Sequence, residues 1–360
     1  MSGAGERGLA EAGEPGGLAE REHSHATPPW CGRVADITAT AYIQSATYYV
    51  ADQVFPVVPV VHQSDKYFAF SKDDFYRDQA QERADAVESA GGGFNLNPNN
   101  QYAANVWAFH KDVGGQTRRN ADPAVNMDIA TTKFIMQQLL IRKDRIFMGK
   151  YLINGVWGTD VTGTSGGTPG SATPAFWSDD ANGDPFTDIA TAQTTILQNT
   201  GFEANTLLIS FPVYQALRKH PLIVDRIKYT TRADASRITP DLLASAFDVD
   251  RCIVSKAVYN TTAEQAVGGA GSPAAATYSF IASKDALLCY AAPAPGIMVP
   301  TAGYIFAWSG LTGLNNMGVR VAQIPMPWMG LETVRTEGEM AFDMQVVGSD
   351  LGYHFSGIVQ

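Results

Sequence analysis

Two short aromatic segments, residues 66–71 and 105–111, lie on either side of a long polar interval with too few apolar residues for a core of its own. The interval predicts a polar helix over residues 74–89, stopped by consecutive glycines, and then a loop containing Asn and Pro. We expect the flanking segments to be paired strands, because aromatic residues favour strands. Their aromatic residues include Phe68, Phe70, Trp107 and Phe109. An isolated two-stranded ribbon is only marginally stable in water, so this arm-like hairpin must lean on something outside its own domain.

The clearest predicted helix comes next. Asp122 and Pro123 suit the N-cap and the first helical position, and apolar residues recur at helical spacing until about Tyr151. This region is the one notably basic segment of the chain, and towards its end lie Arg142, Lys143, Arg145 and Lys150. Two interpretations stay open: a solvated helix face favoured by the helix dipole, or a face directed at a partner or at DNA.

The remaining chain predicts mixed α and β structure. Upstream, an apolar run with two prolines over residues 54–61 predicts an extended edge segment. Residues 154–184, rich in Gly, Ser, Thr and Pro, predict a loop between two structured blocks. Helices are expected at 186–199, 212–219, 221–229 and 240–246, the last three opened by proline. Strands are expected at 206–210, 251–255, 278–282, 286–290, 304–308, 319–324 and 332–347, with a Gly- and Ala-rich loop at 266–276.

Charge and cysteine content exclude several classes of protein. Lys and Arg number 26 and Asp and Glu number 36, a net charge of -10, whereas sequence-specific nucleic-acid readers need clustered basic residues in excess. The three cysteines show no paired spacing, which disfavours disulfides and a cysteine zinc site. We find no secretory signal in the acidic N-terminus and no apolar stretch of the roughly 18 residues that span a membrane. The sequence therefore predicts a soluble protein with no membrane partner.

Motifs for chemistry are mostly missing. The stretch around Ser165 matches G-x-S-x-G, but the strand before it and the helix after it that a nucleophile elbow needs are not predicted. A run of carboxylates from Glu332 to Asp350 fits a solvated strand face better than a calcium site. We therefore predict no catalytic residue, cofactor or metal, and keep a serine hydrolase using Ser165 as a remote alternative.

Several stretches, taken in order, resemble the major capsid proteins of tailed bacteriophages, the Hong Kong 97 type. The resemblance covers about residues 35–360 and rests on many short matches. They are residues 75–80 (FYRDQA) ahead of Arg83 and Ala84, 110–113 (HKDV), 118–122 (RRNAD), 212–221 (PVYQALRKHP), 223–229 (IVDRIKY), 300–308 (PTAGYIFAW) and 337–343 (EGEMAFD).

The resemblance implies an α+β fold with an N-terminal arm, an extended E-loop hairpin, a P-domain with a long spine helix, and an axial A-domain. The implied boundaries are 1–34 for the arm, 35–64 for the P-domain lead-in, 65–112 for the E-loop, 113–153 for the spine helix, 154–184 for the loop, 185–324 for the A-domain and 325–360 for the C-terminal strands of the P-domain. In this family the E-loop lies across the neighbouring subunit. The short arm disfavours a fused scaffolding segment, and residues 325–360 lack the asparagine that covalent cross-linking would need.

The resemblance also implies a function. The chain would be a structural protein, not an enzyme, that forms pentamers and hexamers of an icosahedral virion shell around double-stranded DNA, without sequence-specific contact. It would be made in the cytoplasm of a host bacterium, with portal, scaffolding and decoration proteins as further partners. The E-loop residues expected at subunit interfaces are Lys66, Phe68, Phe70, Phe75, Tyr76, Arg77, Trp107 and Phe109. An encapsulin-type nanocompartment, which shares the fold and encloses cargo enzymes, is the alternative.

Overall fold

The computed structural model describes residues 43–70, 72–121, 126–230, 238–262, 276–296 and 298–360. The N-terminal arm, the predicted cap at Asp122 and Pro123 and nearly all of the loop at 266–276 lie outside them. The helices are α1 (Ala51–Val54), α2 (Lys72–Phe75), α3 (Gly115–Asn120), α4 (Met127–Tyr151), α5 (Pro185–Thr200), α6 (Phe211–Leu217), α7 (Pro221–Thr230) and α8 (Pro240–Ala246). The strands are β1 (Val57–Val60), β2 (Ser64–Phe70), β3 (Leu96–Ala103), β4 (Asn105–Val113), β5 (Thr159–Thr162), β6 (Thr206–Ser210), β7 (Arg251–Ser255), β8 (Val258–Asn260), β9 (Tyr278–Phe280), β10 (Ala286–Cys289), β11 (Gly303–Trp308), β12 (Val319–Pro325), β13 (Val334–Val346) and β14 (Gly352–Ser356).

The described strands form two larger sheets and two ribbons. One five-stranded sheet has the order β5-β14-β10-β6-β7, which we call the central sheet. The second has the order β1-β11-β13-β12, with β4 also paired to β13. The ribbons are β2-β3 and β8-β9. The apolar run that contains Pro56 and Pro59 lies at the edge of the second sheet, where β11 is its one partner among the described strands, as its prolines predict.

The central sheet is buried on both faces and separates two hydrophobic cores. The first core contains α5 to α8, and the second contains α4. Successive strand residues point to opposite faces, so Leu207 and Ile209 pack with α5 to α8, whereas Leu208 packs on the side of α4. Strand β10 divides in the same way, with Leu288 on one side and Leu287 on the other. Burial of both faces explains why these strands are continuous apolar runs instead of alternating ones.

Helix α4 lies against β13 in the second core. The Asn126 side chain accepts hydrogen bonds from the backbone N–H groups of Asp128 and Ile129, both at 3.1 Å, and so caps the helix. The helix therefore begins at Met127, and the predicted start at Asp122 and Pro123 is wrong. Gly338 of β13 allows the close approach: a Cβ there would lie 2.5 Å from Cγ2 of Ile135. The inward face of the helix carries Thr131, Ile135, Leu139, Phe147, Met148 and Tyr151.

Most predicted elements after residue 185 are confirmed, including β6, β7 and α8 with the predicted bounds. Two earlier predictions are wrong. The expected helix over 74–89 is limited to the single turn of α2, and the expected pairing of residues 66–71 with 105–111 does not form, since β2 pairs with β3 and β4 pairs with β13.

The sheets also cut across the expected boundaries. Strand β5 lies inside the predicted loop 154–184 and pairs with β14. Strands β11 and β12, expected within 185–324, pair with β13. The chain therefore passes between the two sheets more often than the expected domain boundaries, a loop at 154–184 and a change of domain at 325, suggested.

Candidate inter-subunit surface

The β2–β3 ribbon is fixed to the body at its base. The Tyr102 ring stacks on Phe306 of β11 with ring centroids 4.6 Å apart and 13° between the planes, and Tyr67 lies 5.4 Å from the same ring. The backbone N–H of Ala104 donates to the carbonyl of Gln63 at 2.8 Å, which closes the two strands at this end. The direction in which the ribbon leaves the body is therefore set by buried aromatic packing.

The far end of the ribbon carries an exposed aromatic cluster. The rings of Phe70, Phe75 and Phe94 lie 5.7 to 5.9 Å apart, centroid to centroid. Asp74 ties the two sides of this tip together by accepting from the backbone N–H of Asn95 at 2.9 Å. Phe75 is 52% exposed and Phe94 is 58% exposed. The cluster is thus too open to be a core, and we call it the tip cluster.

The tip also contacts the body of the same chain. The Tyr76 hydroxyl donates to the carbonyl oxygen of Thr200 at the end of α5, and Lys72 forms an ion pair with Asp350. The expectation that the hairpin leans on something outside its own domain is therefore incomplete, because both ends of the ribbon have contacts within the chain. Residues 77–95, which the ribbon carries beyond α2, are exposed throughout.

Six of the eight predicted interface residues lie on the ribbon and its tip. Phe68 is 64% exposed and Lys66 is also exposed, both on β2. Arg77 lies 3.8 Å from the Asp74 carboxylate and is otherwise open to solvent. Phe94 was missed, although a single aromatic residue after three glycines in a polar loop was a usable signal. The other residues of the six are Phe70, Phe75 and Tyr76.

Trp107 and Phe109 are elsewhere, which corrects the prediction that they belong to the hairpin. Both lie on β4, where the register pairs Trp107 with Met340 and Phe109 with Gly338 of β13. The Phe109 ring lies 5.8 Å from that of Phe134 on α4. These two aromatic residues pack the second sheet against the long helix.

The predicted basic face of α4 is also corrected. Lys143 is buried and forms an ion pair with Asp52, so it is no part of a solvated surface. The Arg142 guanidinium lies 4.5 Å from the Trp107 ring, and that of Arg145 lies 4.4 Å from the Tyr259 ring. Lys150 is 3.9 Å from Asp343. Arg142, Arg145 and Lys150 remain exposed, each with its own neighbour in the chain.

Asp144 holds the start of α1 on the long helix. Its carboxylate accepts from the backbone N–H groups of Val50 and Ala51, each at 3.0 Å. The pKa of Asp144 is raised to about 6, chiefly by burial and to a smaller extent by nearby Asp52, although those two hydrogen bonds and Lys143 oppose the rise. Among the described acidic residues near α4, Asp144 therefore has the most strongly shifted pKa.

The other chemical candidates do not assemble into a site. Ser165 is exposed on a turn, and although β5 does precede it, no helix begins before Pro185, so a nucleophile elbow is not formed. The carboxylates from Glu332 to Asp350 are mostly paired instead of solvated; Glu339, for example, forms an ion pair with Arg320. Within the described ranges, no group of three or more His, Cys, Asp and Glu could hold a metal ion.

In the part of the chain that the structure describes, no helix is long and apolar enough to cross a membrane. Cys252 and Cys289 are free and buried, and burial raises the pKa of each thiol to about 12. Cys31 lies outside the described residues.

Comparisons with known proteins show what this chain is similar to. No protein-family model matches the chain. The major capsid protein of Burkholderia phage BcepMu is 33% identical over 89 residues, which are 25% of this chain. The chain thus spans 27% of the length of this curated relative.

Solved structures match over most of the chain. A phage-related protein from Bordetella bronchiseptica RB50 has a TM-score of 0.63 at 19% identity, over 88% of this chain and 94% of that one. A chain of the capsid structure of cyanophage P-SCSP1u has a TM-score of 0.55 at 10% identity, over 89% of this chain and 90% of that one. The fold is therefore the α+β, Hong Kong 97-type fold of phage capsids, and the resemblance predicted from the sequence is confirmed.

Proposed function

We propose that this chain is a major capsid protein whose copies assemble, through pentamers and hexamers, into an icosahedral shell around the double-stranded DNA of a tailed phage. The role is structural and not catalytic. The observation that carries the proposal is the exposed tip cluster at the end of a ribbon attached to a capsid-type fold. The location in the virion, and synthesis in the cytoplasm of a host bacterium, follow from the same proposal.

The tip cluster supports a contact between copies because its exposed rings would be buried if the surface of another copy covered them. Large aromatic side chains contribute a disproportionate share of interface free energy, and contiguous exposed apolar patches mark interaction sites. The rings of Phe75 and Phe94 are already stacked at 28° and share their contact with Phe70. A cluster that is ordered before binding loses less conformational freedom when it binds.

Charge favours the long helix of a neighbouring copy as the surface that receives the tip. Acidic residues outnumber basic ones over residues 72–90. On α4 the exposed charged residues are basic, namely Lys133, Arg142, Arg145 and Lys150, whereas the half-buried Asp128 is paired with Arg118. Opposite charges on two surfaces speed and orient their encounter, so assembly of this kind should slow as the ionic strength rises.

Shell formation also fits the physics of many modest contacts. Contacts that place one copy against a different surface of the next can close into rings. A subunit held by several neighbours does not leave when one interface opens, so the whole shell is more stable than any one contact. A net charge of -10 suits a DNA container, because a wall of like charge does not trap the genome.

Electron microscopy of the expressed chain tests the proposal. We expect closed particles of uniform size, and particles isolated from cells that produce the virion should contain nuclease-protected double-stranded DNA. Particles that contain a protein cargo instead of DNA would support the encapsulin alternative. A chain that stays monomeric at high concentration, with no particles from any source, would refute shell formation. Portal, scaffolding and decoration proteins would be found as additional bands in particles isolated from those cells.

A further inference from the structure

We propose that Asp350 and the C-terminal end of α5 form a dock that positions the ribbon tip for assembly. This inference rests on the proposed function and adds to it the residues that aim the interface. We call Asp350, Thr200 and Gly201 the tip dock, and Lys72 and Tyr76 are the groups that it receives.

The end of α5 offers a backbone carbonyl that is not needed by the hydrogen bonds of the helix itself. The last turn of a helix leaves backbone carbonyl groups without partners inside the helix, and the Tyr76 hydroxyl donates to one of them, that of Thr200. Gly201 follows with φ of 70° and closes the helix by donating its N–H to the carbonyl of Leu197 at 2.8 Å. A Cβ at Gly201 would lie 3.0 Å from the Tyr76 hydroxyl oxygen, so the glycine also makes room for the phenol.

The second contact falls at the same junction. Asp350 lies in the short 3₁₀ turn Ser349–Leu351, which packs against α5. Its carboxylate receives the Lys72 ammonium from the first position of α2. Two side chains of one short segment therefore reach two neighbouring elements of the body, and this geometry limits rotation of the tip about the ribbon axis.

The contacts suit positioning better than folding. The Lys72 and Asp350 side chains are 45% and 38% exposed, and ion pairs this open contribute little to stability. The ribbon base is already held by Tyr102 on Phe306, so the dock fixes a second point. With both ends held, Phe75 and Phe94 face solvent in one orientation. Holding a binding surface in its bound orientation improves association by lowering the entropy lost on binding.

Charge reversal tests the dock in the full-length chain. The variants are Lys72→Asp, Asp350→Lys and the double Lys72→Asp/Asp350→Lys, with Tyr76→Phe to remove the hydroxyl. Lys284→Asp makes the same charge change at an exposed residue without an ion pair among the described residues. Three properties are measured: hydrogen exchange of residues 72–76 in the isolated subunit, the rate of particle formation by light scattering, and the thermal midpoint.

Each single reversal should raise exchange at the tip and slow particle formation by about fivefold, with the thermal midpoint unchanged. Tyr76→Phe should act in the same direction, the double reversal should recover wild-type values, and Lys284→Asp should match wild type. Wild-type exchange in the single reversals, or a double reversal that recovers nothing, would overturn the dock. If the wild-type chain forms no particles, shell formation fails while the exchange measurement still decides whether the dock exists.

Discussion

Replacing Asp144 by Asn should remove a specific part of the pH dependence of folding stability. Burial raises the pKa of this carboxyl from 3.8 to about 6, which corresponds to roughly 3 kcal/mol between its two protonation states. The folded carboxyl then takes up its proton at a higher pH than the unfolded chain does. Stability from Asp144 is therefore gained as pH falls through about 6 and lost as pH rises through it. Between pH 7 and pH 4 the gain should be about 2 kcal/mol.

Urea unfolding of dissociated subunits measures this gain. The free energy of unfolding is determined at pH 7 and pH 4 for wild type, Asp144→Asn and the exposed control Asp73→Asn. The difference between wild type and Asp144→Asn should shift by about 2 kcal/mol in favour of wild type at the lower pH. Asp73→Asn should show no such shift. A difference that is the same at both pH values would refute the claim that burial controls the ionisation of Asp144.

Three further predictions concern the body of the fold. Gly338→Ala should cost about 1–3 kcal/mol of unfolding free energy by denaturant titration, since its Cβ would press on Ile135. Arg335→Lys should lower the free energy of unfolding slightly in the same assay, because the paired contacts of Arg335 with Asp112, at 2.7 and 2.9 Å, need a planar guanidinium. Burial holds the pKa of His354 below 6.5, so the unfolded chain protonates first and stability is lost as pH falls below that value. His354→Asn should reduce this acid loss in thermal melts at pH 5, and an unchanged loss would contradict the assignment.

Local signals predicted the part of the fold after residue 185 well. Prolines at the start of α6, α7 and α8 and the apolar runs of β6 and β7 specify their elements without help from distant residues. The α+β class was implied by the family resemblance and not by this order of elements. Strand β3 was missed because its sequence, LNPNNQYA, is rich in Asn and mostly exposed apart from Tyr102, and it is a strand chiefly through pairing with β2.

Long-range pairing accounts for the errors at the candidate site. Lys143 looked solvated because its partner Asp52 lies far earlier in the chain. Trp107 and Phe109 have strand character, but strand propensity does not name the partner strand, and β13 is distant in sequence. The tip dock likewise could not be predicted from the sequence, since Lys72 and Asp350 come together only when α5 and the following sheet are in place. The aromatic character of the tip itself was visible in Phe68, Phe70 and Phe75.

A cryo-electron microscopy map of the assembled wild-type chain tests the central claim most directly, because it shows what covers the tip cluster. The account predicts a closed shell in which Phe75 and Phe94 of each copy lie against a neighbouring copy. A shell in which these two rings still face solvent, or a chain that remains a lone subunit under all conditions, would contradict it.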